Sequence, residues 1–381
     1  MSEYQYYEFR AVDRPLDKPE MAALRAISSR AEITPAGLTN EYHFGNFKGD
    51  PDRLMDQYFD AHLYLANWGT HRLMLRVPAR AFALATARPY SLPEALQVRA
   101  NKTHVVLDFH SESEGDDDFE GGEGWLSSLI GLRSDLLAGD LRCLYVGWLA
   151  GVETGEVDPE TIEPAVPPGL GQLTAPLERL ADFIRVDPDL IEVAAETSAE
   201  VAATGPSAQE LAGWVAGLPA AEKNRHLVRL MQGGSVRVAA ELLRRFREDT
   251  APAEGKSARR RVVQELLAAR DRLSAEKQRR AAAKAERERE RKAREREAAR
   301  AHHLDAIAGR EEALWREVEA AIETKQAQGY ERAIGLLKDL RDLADRTGTG
   351  DEVVRRVTAL RERYHTRPAL IARIKRAGFT K

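Results

Sequence analysis

The sequence predicts an α+β N-terminal domain followed by all-α modules, with a long charged single α-helix between them. Three observations carry this reading. Aromatic and aliphatic runs bounded by turn residues alternate with capped helical patterns up to Phe109. From Trp125 onward the apolar positions recur at helical spacing. Between Leu273 and Leu304 no apolar residue larger than alanine occurs, and Arg, Glu, Lys and Ala fill the gap. The 381 residues exceed the usual size of one domain.

Tyr4–Val12 is rich in aromatics and fits a strand. Asp17-Lys18-Pro19-Glu20 starts a helix, because Asp17 can cap and Glu20 falls three residues later. Ala31–Phe44 reads as strand and loop, interrupted by Pro35 and Gly37. Asp50-Pro51 starts a second helix, with Leu54, Tyr58 and Leu65 as its buried stripe. Trp68-Gly69-Thr70 turns the chain into a strand at Leu73–Val77, and Val98–Phe109 reads as a further strand. Trp125–Ala138 and Leu141–Val152 form a helical pair separated by Gly139-Asp140. Cys143 lies off the apolar stripe of the second and reads as a passive thiol.

Four prolines and two glycines in Glu163–Pro176 mark a linker. Short capped helices follow, opened by Asp187-Pro188, Ser207 and Pro219. The expected division is therefore 1–162 as a mixed α/β domain, 163–176 as a Pro/Gly-rich linker, 177–249 as a small all-helical domain, 256–303 as a charged extended helix and 304–381 as a C-terminal helical hairpin domain. Glu288 with Lys292, Glu290 with Arg294 and Glu297 with Arg300 sit at spacings that support an isolated helix by a few tenths of a kcal/mol each. Alanine alone makes a poor coiled-coil seam, so a single solvated helix is expected.

The opening YQYYEFRAVDRPLDKPEMAALRAISSRAEITP and the ending LWREVEAAIETKQAQGYERAIGLLKDLRDLADRTG…RPALIARIKRAGF resemble a group of uncharacterised bacterial proteins. The resemblance implies a bacterial, intracellular protein and assigns no functional residue.

The net charge of -4 is a cancellation. Residues 1–255 hold 24 Lys and Arg against 40 Asp and Glu, a balance of -16, while 256–300 carry +9 and 301–381 carry +3. With one cysteine, no internal disulfide and no thiolate zinc site can form. Met1–Arg10 lacks the pattern of a signal peptide, and no apolar run has the length of a spanning helix. The expected location is the cytoplasm, with no membrane partner.

Few residues suggest chemistry. Asp108, His110 and Glu112 are spaced two apart at a strand end, so alternation puts all three on one face, a set suited to a divalent metal. The plainer reading is a strand running into an acidic loop around Asp116, Asp117 and Asp118 that is solvated, or docks on a basic partner. Arg259, Arg260, Arg261, Arg279, Arg280, Arg373, Lys375 and Arg376 are the clusters that would meet nucleic-acid phosphates; the even mixing of Glu favours a soluble spacer instead. Tyr4, Tyr6, Tyr7 and Phe9 would stack on bases only if an open sheet displayed them. His43, His62 and His71 read as scattered core or surface residues. Gly255-Lys256-Ser257 lacks the earlier glycine of a phosphate loop, since Thr250 stands there. No catalytic signature is present and no cofactor is expected. The leading expectation is a non-enzymatic interaction or scaffold protein with a protein partner. The alternatives are a metal-dependent hydrolase or nuclease built on Asp108, His110 and Glu112, and a nucleic-acid-associated factor using the basic helix.

Overall fold

The computed structural model describes residues 3–113, 121–200, 208–231, 235–250 and 260–379. The chain divides into two units, Met1–Glu276 and Lys277–Lys381.

The first unit begins with β1 (Gln5–Arg10), α1 (Lys18–Ile27), β2 (Glu32–Thr34), β3 (Gly37–Tyr42), α2 (Pro51–Gln57), β4 (Ala61–Ala66), β5 (His71–Pro78), a short α3 (Leu84–Ala87), β6 (Leu96–Ala100) and β7 (His104–Ser111). The strands form one sheet in the order β2-β3-β1-β4-β5-β7-β6, antiparallel throughout. Both expected caps form. Asp17 accepts from the Glu20 amide while Glu20 reaches back, and Asp50 accepts from the amides of Asp52 and Arg53.

Two expectations change here. The helix opened at Asp50 stops at Gln57, and Leu65 belongs to β4. Asp60 takes hydrogen bonds from the amides of Val12 (2.7 Å) and Asp13 (2.8 Å), which holds the chain beside β1 as a strand. The segment Val98–Phe109 lies in two strands, not one. The Asn101 side chain accepts from the amides of Thr103 and His104 at 2.9 and 2.8 Å and closes the turn between β6 and β7.

Seven strands have two faces, and they are covered unequally. On one face Phe9, Leu38, Met74 and Val106 pack under α1 and α2, through Leu24, Leu54 and Met55. On the other, Leu63, Leu73, Leu75, Leu107 and Phe109 pack under α4 (Trp125–Leu129), α5 (Gly131–Leu137), α6 (Arg142–Glu153), α7 (Ala175–Phe183) and α8 (Pro188–Ala195). α6 is buried on every side from Arg142 to Val152, so Cys143 is buried despite lying off the predicted stripe. Burial pushes its thiol well above the ordinary range, in keeping with a passive role. α9 (Ala208–Gly217), α10 (Ala220–Met231) and α11 (Ser235–Thr250) follow.

The stretch 163–176 packs into this unit. The Tyr90 hydroxyl donates to the Ala165 carbonyl at 2.7 Å, and Leu170 joins the core. Glu163 is 2% exposed and accepts from Arg261 Nε and Nη2, both at 3.0 Å, and from the Tyr145 hydroxyl. Burial works against the Arg261 charge, but the Glu163 carboxylate more than offsets it and raises the pKa. Ile162 pairs with Val262 in an antiparallel bridge, after which α12 (Val263–Ile307) starts with Val263 and Leu266 inside the same core. α12 begins at Val263, directly after this bridge, and residues 256–259 of the expected helix lie outside the described residues.

Residues 276–299 of α12 are all exposed. Lys292 pairs with Glu288 at 2.9 Å and Arg294 with Glu290 at 4.0 Å, as the spacing predicts. Arg300 turns instead to Asp339 and Asp342, within the second unit. That unit continues with α13 (Glu311–Glu323), α14 (Ala327–Thr347), α15 (Gly350–Arg363) and α16 (Pro368–Arg376) around its own core of Val318, Ile322, Leu337, Leu340, Val357 and Leu370. Gly348 ends α14 at φ 72°, a left-handed cap that glycine adopts without strain. Among the described residues no helix is long and apolar enough to cross a membrane.

Glu163→Gln leaves the partly buried Arg261 guanidinium without its carboxylate. We expect a loss of about 3 kcal/mol in urea unfolding of the first unit. Glu288→Gln, on the exposed helix, should cost under about 0.5 kcal/mol. Equal effects of the two would contradict a stabilising role for the Glu163–Arg261 pair.

Candidate functional site: the open face of the sheet

Among the described residues, the helices of the broader cover leave part of one sheet face open. Tyr6, Glu8 and Arg10 of β1 stand directly opposite Glu41, Thr39 and Gly37 of β3, and Glu32 and Thr34 of β2 continue the row. The same face carries Leu63 and Leu65 on β4, where helical cover begins. The row floors a cleft of about 680 Å³, walled by Arg30 and by Glu123, Gly124 and Ser127 at the start of α4. Gly122 lies so close to the Tyr6 ring that an added Cβ would sit 2.1 Å from it.

Glu8 is the deepest charge here, 3% exposed. It accepts from the Tyr6 hydroxyl at 3.0 Å and pairs with Arg10, whose Nη2 lies 2.6 Å away. Burial and the adjacent Glu8 carboxylate push the Tyr6 phenol far above its ordinary value. Tyr4 donates to Glu41 at 3.0 Å, and burial, with a smaller push from Glu41, raises its phenol to about 12. Both phenols therefore stay protonated donors at neutral pH. The Arg10 guanidinium offsets the Glu8 charge within the cleft. Four glutamates and two arginines line the cleft, leaving an acidic surplus.

The opposite face holds the strand-end set. Asp108 is buried and receives Arg72 Nη2 at 2.7 Å; the same guanidinium also holds Asp52 at 3.0 Å. His110 Nε2 lies 3.6 Å from Glu112 Oε1. Among the described residues no group of three or more His, Cys, Asp or Glu side chains stands together to hold a metal. The acidic run Asp116, Asp117 and Asp118 lies outside the described residues, as do Gly255-Lys256-Ser257 and Arg259.

Of the basic candidates, Arg261 forms the pair with Glu163 and Arg373 pairs with Glu331 at 2.7 Å. Arg260, Arg279, Arg280, Lys375 and Arg376 are exposed. The three histidines do not converge. His43 packs edge-on against Tyr4, with ring centres 5.5 Å apart. His71 contacts the Phe183 carbonyl through Nδ1 at 2.7 Å. His62 is fully buried on the other face, stacked on Phe9 at 3.9 Å. The aromatic strand splits likewise: Tyr7 and Phe9 are core, and only Tyr6 faces the cleft. Glu8, Arg10, Glu32 and Glu41 are not among the residues that the sequence alone singles out. Their signal was the break in the alternation of β1, where two charges share the parity of Tyr6.

His62 generates a pH prediction. Its Nδ1 lies 3.0 Å from the Glu8 carbonyl, and its Nε2 is buried with no hydrogen-bond partner among the described residues. Burial lowers its pKa from 6.5 to about 3. The unfolded chain then binds the proton first, so stability falls as pH drops from about 6.5 toward about 3. His62→Phe should flatten that slope by up to about 1.4 kcal/mol per pH unit in urea unfolding. Parallel profiles of variant and parent would contradict it. In comparisons with family models, curated proteins and solved structures, the chain matches none of them.

Proposed function

We propose that the protein is a non-enzymatic interaction protein whose first unit binds a cationic, extended segment of a protein partner in the open cleft of its sheet. The observation that carries this reading is the acidic surplus of that cleft on an otherwise covered sheet face. Its floor is polar and pre-formed. Glu8 is fixed by Tyr6 and Arg10, and Glu41 by Tyr4. Glu32 and Glu123 supply charge at the floor and wall, and the hydroxyls of Thr34, Thr39 and Ser127 add hydrogen-bonding capacity. Such a surface suits a Lys- or Arg-bearing strand better than an apolar helix. The second unit, with its own core and joined through the 45-residue α12, gives the chain a second module for linking.

Binding of an extended Lys/Arg-rich peptide to the full chain, followed by fluorescence anisotropy, tests this. Glu32→Lys combined with Glu41→Lys should weaken binding about tenfold or more, equivalent to about 1.4 kcal/mol. Glu288→Lys on the exposed helix should leave it unchanged. Equal affinity of the cleft variant and the parent would sink the proposal.

A further inference from the structure

We infer that a second cavity of the first unit, at the far end of the α2-covered face, is a binding site for a phosphate dianion. The cavity measures about 490 Å³ and is lined by Arg14, Arg76, Arg80, Lys102, Thr103 and His104, together with the carboxylates of Asp13 and Asp56. That volume lies in the range of small-molecule sites.

The charges decide its preference. Both lining carboxylates are already held from behind: Asp13 by Arg133 at 2.8 Å and Asp56 by Arg99 at 2.6 Å. Arg76 stands at the base, 7% exposed, and its fork is fixed by Asp60 and by the Met55 and Asp56 carbonyls at the end of α2. Arg14 is paired with Glu20 at 2.5 Å. Arg80 and Lys102 line the cavity and are exposed, without an ion pair among the described residues. Acids that face the cavity are thus neutralised while two of its cations are not. An anion with two charges and several acceptor oxygens meets that surplus, with Thr103 beside it.

His104 adds a proton-linked donor. Its Nδ1 lies 2.9 Å from Thr103 Oγ1, which also contacts Asn101 Oδ1 at 2.9 Å. We assign the Thr103 proton to Asn101, so the ring donates through Nδ1 and its Nε2 becomes a donor only on protonation. Burial lowers the His104 pKa; Arg76 and Arg133 lower it further, against the raising effect of Asp60 and Asp13. Asp56 from α2 and the cations Arg14, Arg80 and Lys102 also face the cavity. A bound dianion opposes the cationic push, so it should favour the protonated ring.

Calorimetric titration of the full chain at constant ionic strength tests the site with inorganic phosphate and, separately, glycerol phosphate. Saturable binding of either supports it. The tighter of the two distinguishes a free anion from a phosphate carried on a small organic molecule. Arg80→Gln combined with Lys102→Gln, both exposed and remote from the core, should weaken binding at least tenfold. Sulfate, whose charge is constant between about pH 5 and 8, should bind more tightly as pH falls in the parent and lose that dependence in His104→Gln. Absence of saturable binding by both phosphates, or unchanged affinity in the double variant, overturns the inference.

Discussion

A seven-stranded antiparallel sheet with two apolar faces must find cover for both, and the first unit is organised around meeting that demand. α1 and α2 close one face. The other takes α4 through α8 and the opening turn of α12, all contributing to one core. Burial of apolar surface at about 25 cal/mol per Å² favours covering the central strands first. Cover ends where the strand face turns polar, at Tyr6, Glu8 and Arg10. The cleft is thus a consequence of residue types on β1, β2 and β3, which make a helical lid there unfavourable.

Charge is handled in the same economical manner. Four buried or near-buried carboxylates each meet an arginine: Glu8 with Arg10, Asp60 with Arg76, Asp108 with Arg72 and Glu163 with Arg261. An unpaired charge in those positions would cost several kcal/mol. The Asp60 case shows how. Burial alone would raise its pKa, but the Asp13 amide, Arg76 and the Val12 amide together hold it below the ordinary carboxylate range. Arg185 makes a comparable contribution with its backbone. It adopts φ 59°, a conformation costing about 1 kcal/mol outside glycine. Its guanidinium then reaches the Gly69 carbonyl, Ser111 Oγ and the His71 ring, joining α7 to the strand ends.

Local signals were legible in the sequence. The Asp17–Glu20 box, the Asp50-Pro51 start, the helical periodicity of α6 and the apolar gap in α12 depend on neighbours within a few residues. What is not legible locally depends on distant segments. Leu65 looked like part of a helical stripe because the bonds that fix the strand come from Val12 and Asp13 across the sheet. Arg261 looked like one base in a basic run because its carboxylate lies 98 positions earlier. The proline content of 163–176 does not reveal that Ala165 meets the Tyr90 hydroxyl or that Leu170 joins the core. Asp108 looked available because Arg72 stands on the adjoining strand. The open cleft was hidden for the same reason: its floor comes from three strands, and no single stretch contains it.

We propose the open sheet face as the binding surface of the first unit. Hydrogen–deuterium exchange of the full chain, with and without a saturating Lys/Arg-rich peptide, addresses it most directly. Binding in the cleft should add protection along β2 and β3 and around Gly122–Ser127, with α13 to α16 unchanged. Saturating peptide that leaves those segments unprotected, or protects only the second unit, would contradict it.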